Sequence, residues 1–485
     1  MFFKPYYLGC LAHASYLIGG DNGEAAVIDP RRDVDEYLAD AEAAGLTIKH
    51  VIETHLHADF VSGHVELAQR TGAIIALGGA TPVDFPHRAV HEGDELHMGD
   101  VRLHFLETPG HTPEGISILA FVGGEADPRM VFTGDTLFIG DVGRPDLAIW
   151  RGHSAEAMAH AMYHTLKEKL LTLPDATEVW PAHGAGSACG RALSDERVST
   201  MGREKVFDPA LRPVVDGDEE AFVRALMAGQ SAVPPYFPHD VTENRQGAAT
   251  MEEVLARGRA MTPHEVEALS ERGMLVLDTR LPAEFGAGHV PGAVNIGLDG
   301  KFAPWVGNVL APDAPVIIVA APGREQEAVT RLARVGFENV VGWLAGGMDA
   351  WPKAGGEMER VPQMPPADLR LLLGSGRLPK VLDVRTDDEW EAGHIEGALH
   401  IPLNELKDRL GEVPREPLFV LCGSGYRSSI GCSLLQRAGR RDVTNLIGGW
   451  TAWELLEKET LEKETLETET LETETLEKES THAAA

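Results

Sequence analysis

Cysteine is scarce. Four residues, Cys10, Cys189, Cys422 and Cys432, are spread over a chain of 485, and so few at such spacing do not build a disulfide framework. Any working cysteine is then a free thiol. Long apolar runs are missing too: no stretch approaches the 18 or so consecutive apolar residues of a membrane-crossing helix. The opening MFFKPYYLGCLAHASYLIGG is interrupted by Pro5, Tyr6 and Tyr7 and does not read as a secretory leader. The expectation is a cytoplasmic protein with no membrane partner. Basic side chains are in deficit, 43 Lys and Arg against 75 Asp and Glu, for a formal net charge of -32. A field of that sign repels a phosphate backbone, which removes nucleic acid from the expected partners.

What is present is an ordinary globular composition, 43% hydrophobic with 8 tryptophans, at a length that suggests about three domains. Residues 1 to 200 alternate short β-branched runs (AAVIDP, HVIETHLH, AIIALGG, MVFTGD, EVWPAHG) with helical stretches at Asp33 to Ala44 and Ser154 to Leu171, the pattern of mixed α/β. Asp216 to Gly229 reads as a helix, whereas SAVPPYFPHDVTENRQG holds too many prolines for a core element and reads as an extended arm closing a first domain, 1–245. Beyond it, VLDTRLPAEFGAGHVPGAVNI (Val276 to Ile296) recurs as VLDVRTDDEWEAGHIEGALHI (Val381 to Ile401). Each copy later reaches a Gly-Gly pair and a tryptophan: Gly346, Gly347 and Trp351, then Gly448, Gly449 and Trp453. Two tandem copies of one domain are implied, at 260–356 and 365–456. The remainder, 457–485, repeats LEKET-like pentads. On a helix that period turns each leucine by about 140°, so no stripe forms and an acidic tail without chemistry is expected.

The segment THLHADFVSGH, Thr54 to His64, places His55, His57 and Asp59 on one loop after a strand. Imidazole and carboxylate are costly to bury unpaired, so core packing does not explain them. Three more segments have the same strand-then-polar-loop form: ETPGHTPEG with His111, VFTGDTLF with Asp135 and VWPAHGAG with His183. This constellation resembles the metallo-β-lactamase fold, an αββα sandwich, whose mark is H-x-H-x-D-H followed by distant His, Asp and His. In the two-metal hydrolases of that fold, such as glyoxalase II, the sixth position is a histidine that helps hold a second ion. Here it is Phe60, which speaks for one metal.

The single-metal branch that the sequence resembles is the persulfide dioxygenases, which also carry the segment here written IGDVGRPDLA, Ile139 to Ala148. The resemblance implies one Fe(II) per chain held by His55, His111 and Asp135, two imidazoles and a carboxylate that leave room for O2 and a substrate sulfur. His57, Asp59 and His183 would then orient ligands and bind water. Arg144 and Asp146 have two readings, a loop ion pair or a part of the substrate pocket. Cys189, six residues past His183, is either an inert buried thiol or a carrier of persulfide sulfur.

In the last domain PLFVLCGSGYRSSIGCSLLQRAG reads as a strand, the loop CGSGYR and a helix. A cysteine there faces loop N–H groups, the positive end of a helix and the charge of Arg427, so Cys422 is expected as a nucleophile. With LDVR, EAGHIEGA and GGWTAW around it, the domain resembles rhodanese, an α/β sulfurtransferase with a parallel sheet. Cys432 is expected in the core and Cys10 in a buried strand. The first copy has Ala320 at the cysteine position in PVIIVAAPGREQEA, and a domain without the thiol transfers no sulfur. Its expected role is a spacer or a dimer surface, with regulatory ligand binding as the alternative.

The whole order resembles persulfide dioxygenase–rhodanese fusion proteins. That resemblance implies oxidation of a low-molecular-weight persulfide, such as glutathione persulfide, by O2 to sulfite, then thiosulfate formation at Cys422, in a homo-oligomer. The rivals are a glyoxalase-II-like zinc thioester hydrolase fused to a sulfurtransferase, and a non-enzymatic sulfide sensor.

Overall fold

In the computed structural model, two six-stranded sheets carry the first 200 residues. The first runs in chain order through Phe2–Leu8, His13–Gly19, Glu24–Ile28, Thr47–Ile52, Ile74–Gly78 and Arg88–Val90. The second runs Ser199–Thr200, Glu178–Pro181, Met130–Gly134, Ile116–Val122, Val101–Glu107 and Glu95–Met98. Alternation explains how they meet: in Val101–Glu107, Val101, Leu103 and Phe105 are fully buried while Arg102 and His104 are not, because successive side chains leave a strand on opposite faces. The inward faces interdigitate as one core in which Tyr16, Ile28 and Ile52 of one sheet meet Phe105, Ile118 and Phe132 of the other. Each such side chain contributes about 1.5–3 kcal/mol by burial. Helices Asp35–Ala43 and His64–Thr71 cover the first sheet, while Ala155–Thr165 and Glu219–Met227 cover the second. This is the αββα sandwich expected.

The structure describes all of the chain except residues 150, 151, 192, 231, 375–378 and 460–485, so the acidic repeats of the tail lie outside the described residues. Among the described residues no helix is long and apolar enough to cross a membrane. The chain divides into two compact units, one of Met1–Gly258 with Lys301–Ala314 and Gln326–Val340, the other of Arg259–Gly300, Pro315–Glu325 and everything from Val341 on.

Both later domains are built on parallel sheets of identical topology. One is ordered Arg259–Met261, Val340–Leu344, Val316–Val319, Leu275–Asp278, Val294–Asn295; the other Gln363–Met364, Val443–Leu446, Leu418–Leu421, Lys380–Asp383, Leu399–His400. The repeated LD-x-R segment has a structural cause. Asp278 and Asp383, fully buried at the ends of equivalent strands, are each paired in fork fashion with the arginine two residues on, Arg280 and Arg385.

Two local expectations differ from what is found. The proline-rich stretch is not an extended arm: it contains the helix Phe237–Gln246, with Pro238 in its first turn, where the missing N–H would have no partner in any case. Cys10 is not on a strand but in the turn after Phe2–Leu8, and only half-buried. Cys432 is fully buried inside the helix Tyr426–Arg437, as expected.

Candidate metal centre and thiol loop

Four strands of the sandwich end at one place. His55 follows Thr47–Ile52, His111 follows Val101–Glu107, Asp135 follows Met130–Gly134 and His183 follows Glu178–Pro181. All four side chains are buried. His55 Nε2 lies 3.8 Å and His111 Nε2 3.5 Å from Asp135 Oδ2, an oxygen with no hydrogen-bond partner. The far ring nitrogens are engaged elsewhere: His111 Nδ1 lies 2.9 Å from the Arg144 carbonyl, to which it donates, and His55 Nδ1 lies 3.0 Å from Thr54 Oγ1. That leaves the His111 Nε2 lone pair facing inward. An orphaned carboxylate oxygen facing two imidazole nitrogens is a donor set that fits a divalent ion. Burial pushes both His55 and His111 well toward the neutral form that a ligand needs. A narrow cleft lined by Thr54, His55, Thr108, His111, Thr112 and Asp135 opens beside them. A wider cleft lies between Leu410–Glu416 and Ala438–Val443 of the last domain and contains none of the candidate residues.

Behind the triad, His183 joins two carboxylates, with Nδ1 2.8 Å from Asp135 Oδ1 and Nε2 2.8 Å from Asp59 Oδ2. Burial works against its charge, but Asp135 and Asp59 outweigh it and raise the imidazole to about 10. Asp135 in turn is held well below the carboxylate range: burial raises it, and His183, then His55 and His111, more than reverse that. Cys189 closes this second group, with ligand atoms of Asp59, His183 and Cys189 all within 4.8 Å of one another. Burial, then Asp59 and Asp135, pushes the Cys189 thiol well up.

His57 lies beside the triad, its ring centroid 4.2 Å from that of His55. Its Nε2 is 3.2 Å from both Asp29 Oδ1 and Glu53 Oε2, and these two carboxylates overcome the cost of burial and hold it protonated. The paired carboxylates thus hold by its Nε2 a ring that packs against the ligand candidate His55. Phe60 packs with its ring centroid 4.5 Å from that of His57 and 4.0 Å from that of His13. His13, fully buried with neither ring nitrogen hydrogen-bonded, was not singled out from sequence; a lone histidine opening a strand carries no local signal.

Arg144 is one of the most buried arginines, and its guanidinium makes a two-point pair with Asp146 at 2.6 and 2.7 Å. It also donates to the Ala188 carbonyl at 3.3 Å, while its backbone N–H donates to the Cys189 carbonyl at 3.0 Å. Since its own carbonyl receives His111 Nδ1, the GRPD loop braces a ligand and the Cys189 strand of chain together. Asn244, also missed from sequence, is buried in the helix Phe237–Gln246 and binds the metal loop three times. It donates to the His57 and Phe60 carbonyls at 2.8 Å each and accepts from the Ser62 N–H at 2.7 Å.

In the last domain Cys422 lies between Leu418–Leu421 and Tyr426–Arg437. Its Sγ receives the Gly425 N–H at 3.1 Å and lies 3.3 Å from Ser428 Oγ. The Gly448-Gly449 pair supports the loop from behind, where a Cβ on Gly449 would lie 2.2 Å from the Cys422 carbonyl. Arg427 is bound in fork fashion to Glu389 at 2.7 and 2.6 Å. Burial would raise Glu389, but Arg427 and Thr386 hold it at about 2. Ala320 occupies the equivalent strand end after Val316–Val319 in the preceding domain, buried and without a reactive group.

Comparison with known proteins finds a metallo-beta-lactamase domain followed by two rhodanese-like domains. Residues 8–183 match the metallo-beta-lactamase superfamily, and 262–354 and 365–456 each match the rhodanese-like domain. Among curated proteins, the cytoplasmic hydroxyacylglutathione hydrolase of Arabidopsis thaliana is 36% identical over 185 residues, 37% of this chain and 67% of that protein. Mitochondrial persulfide dioxygenase ETHE1 of Mus musculus is 30% identical over 203 residues, 41% of this chain and 70% of that protein. A crystal structure titled metallo-beta-lactamase from Staphylococcus aureus subsp. aureus COL superposes with a TM-score of 0.62 at 33% identity, over 71% of this chain and 98% of that one.

Proposed function

Because the chain belongs to the metallo-β-lactamase superfamily and continues into two rhodanese-like domains, we propose that it oxidises a low-molecular-weight persulfide and transfers sulfur to the product. The first reaction takes the terminal sulfur of a persulfide such as glutathione persulfide, O2 and water to sulfite and the free thiol. In the second, Cys422 takes the outer sulfur of another persulfide molecule, which leaves as its thiol, and passes that sulfur to sulfite, giving thiosulfate and regenerating the Cys422 thiol. One Fe(II) per chain, held by His55, His111 and Asp135, would supply a centre where O2 and the substrate sulfur come together.

The rest is work for the chain's own groups. Arg144 fixes the His111 tautomer through its carbonyl, and His183 fixes the carboxylate plane of Asp135. Phe60 keeps an apolar ring where the hydrolases place an imidazole and limits water on that side. Gly425 N–H stabilises sulfur charge at Cys422 as a bond to it breaks, and Ser428, whose hydroxyl donates to Asn445 Oδ1, accepts the thiol proton of the resting Cys422. The observation that carries the reading is the buried two-imidazole, one-carboxylate group in a chain that also bears a cysteine loop capped by backbone N–H. Joining the two sites raises the local concentration of sulfite at the second.

A zinc thioester hydrolase is the second reading, favoured by the Asp59, His183 and Cys189 group and the likeness to the Arabidopsis hydrolase. Metal analysis with O2 uptake on glutathione persulfide tests both. One iron per chain, O2 consumption and sulfite formation are expected; two zincs, no O2 uptake and hydrolysis of a glutathione thioester would overturn the proposal.

A further inference from the structure

The domain that lacks a thiol has no chemistry in this scheme, yet two of its segments, 301–314 and 326–340, belong to the first compact unit. Each reaches the metal loop by its own route. The Val61 N–H, one residue after Phe60, donates to the Arg334 carbonyl at 2.8 Å. The Arg334 guanidinium is bound at two points to Asp33, at 2.7 and 2.8 Å. Three residues before Asp33, the Pro30 carbonyl accepts from Ser62 Oγ at 2.8 Å and the Gly63 N–H at 3.0 Å. Four residues beyond Arg334, Glu338 pairs with the buried Arg32 at 2.6 Å and with Arg257 at 2.9 Å. Residues 59–63 are thus enclosed by a frame whose far side is the thiol-less domain.

The second route starts at Gly307 in the helix Phe302–Val309. A Cβ there would lie 2.2 Å from the Tyr236 ring, so only glycine allows this helix and ring to approach so closely. Tyr236 is buried, and its hydroxyl points to the Asp59 carbonyl at 3.4 Å. Neither route touches His55, His111 or Asp135. Both end on the residues that flank Phe60.

We propose that the thiol-less rhodanese domain is the outer wall of the metal loop, with Arg334 and Gly307 as positioning residues that hold Asp59, Phe60 and Val61 in place for the dioxygenase reaction. The proposal rests on the persulfide-oxidation reading for its kinetic consequence, not for its geometry. Loss of the Arg334 guanidinium removes the two-point pair and leaves Asp33 with the longer Arg31 contact at 3.4 Å, and a loop displaced by a fraction of an ångström misplaces what it carries.

The test uses the full chain as Arg334→Ala, Arg334→Lys and Gly307→Val. Measured for each are iron content, kcat and KM for O2 uptake, the visible spectrum of Co(II)-loaded protein, and thiosulfate:cyanide sulfur transfer as a check on the other unit. With iron retained and sulfur transfer intact, kcat is expected to fall on the order of tenfold in Arg334→Ala and Gly307→Val, with little change in KM. Arg334→Lys, which keeps the charge, is expected to recover most of it, and the Co(II) bands to shift in the first two variants and return in the third. Unchanged kcat and unchanged bands in both Arg334→Ala and Gly307→Val would overturn the wall. So would loss of iron that Arg334→Lys does not rescue, which marks a merely structural role. If the parent consumes no O2 with a persulfide, the functional reading fails by itself, and the Co(II) bands still decide the positioning role.

Discussion

Asn244→Ala should loosen the metal loop without touching a metal ligand. The side chain is 1% exposed, and its three hydrogen bonds, at 2.7, 2.8 and 2.8 Å, satisfy the Ser62 N–H and the carbonyls of His57 and Phe60. Truncation leaves three buried backbone groups without partners, each at a cost of about 1–3 kcal/mol. If local relaxation or an entering water repairs one of them, about 2–6 kcal/mol remains. That compares with about 5–15 kcal/mol for a whole domain, so the expected result is local opening within a folded protein. At about 1.4 kcal/mol per factor of ten, hydrogen-exchange protection of the Ser62 amide should fall by about 10–10⁴. Mass-spectrometric exchange on a peptide spanning 57–63 reads this directly. Thr242→Ala is the control: exposed on the same helix, its hydroxyl bonds only the Pro238 carbonyl within that helix, and it should change protection by less than about threefold. Protection in Asn244→Ala that matches the control would refute the argument that this side chain holds the loop.

His111→Ala or Asp135→Ala should abolish O2 uptake with a persulfide while thiosulfate:cyanide transfer persists, because Cys422 is in the other compact unit; a folded variant that loses both activities contradicts independent sites. Cys422→Ser should shift the product from thiosulfate to free sulfite at similar O2 uptake, which product analysis by chromatography decides. Iodoacetamide at neutral pH should label Cys422 before Cys189 and Cys432, since Cys422 Sγ, although as buried, receives the Gly425 N–H, whereas burial pushes both of the latter thiols up; equal labelling of Cys189 by peptide mapping would assign it a reactive role. Phe60→His should add an imidazole beside Asp59 and His183, bind extra zinc and lose O2 uptake; unchanged metal stoichiometry with full activity under equal iron and zinc supply would make Phe60 a bystander.

The sandwich, the tandem parallel domains and the triad were legible because their signals are local. His55, His111 and Asp135 each follow a short apolar strand at the point where the ladder ends and polar groups can emerge. Cys422 likewise is marked by a strand, a glycine loop and a helix within a few residues. Proline content misled at Phe237–Gln246 because position within a helix, not number, decides whether proline breaks it.

What the sequence by itself determined was which side chains stand at strand ends. Tertiary structure decided which of them converge. His57 shares a loop with His55 and packs against its ring, but its Nε2 faces Asp29 and Glu53. Arg144 is held by buried contacts with Asp146 two residues on and with Ala188 forty-four residues away. Asn244, Gly307 and Arg334 are about 180 to 275 residues from the loop that they hold, and no periodicity or spacing encodes a contact at that range. Local pattern is set by backbone geometry over a few residues, whereas the identity of a buried partner is set only when distant segments compete for the same space and the same unpaired polar atoms.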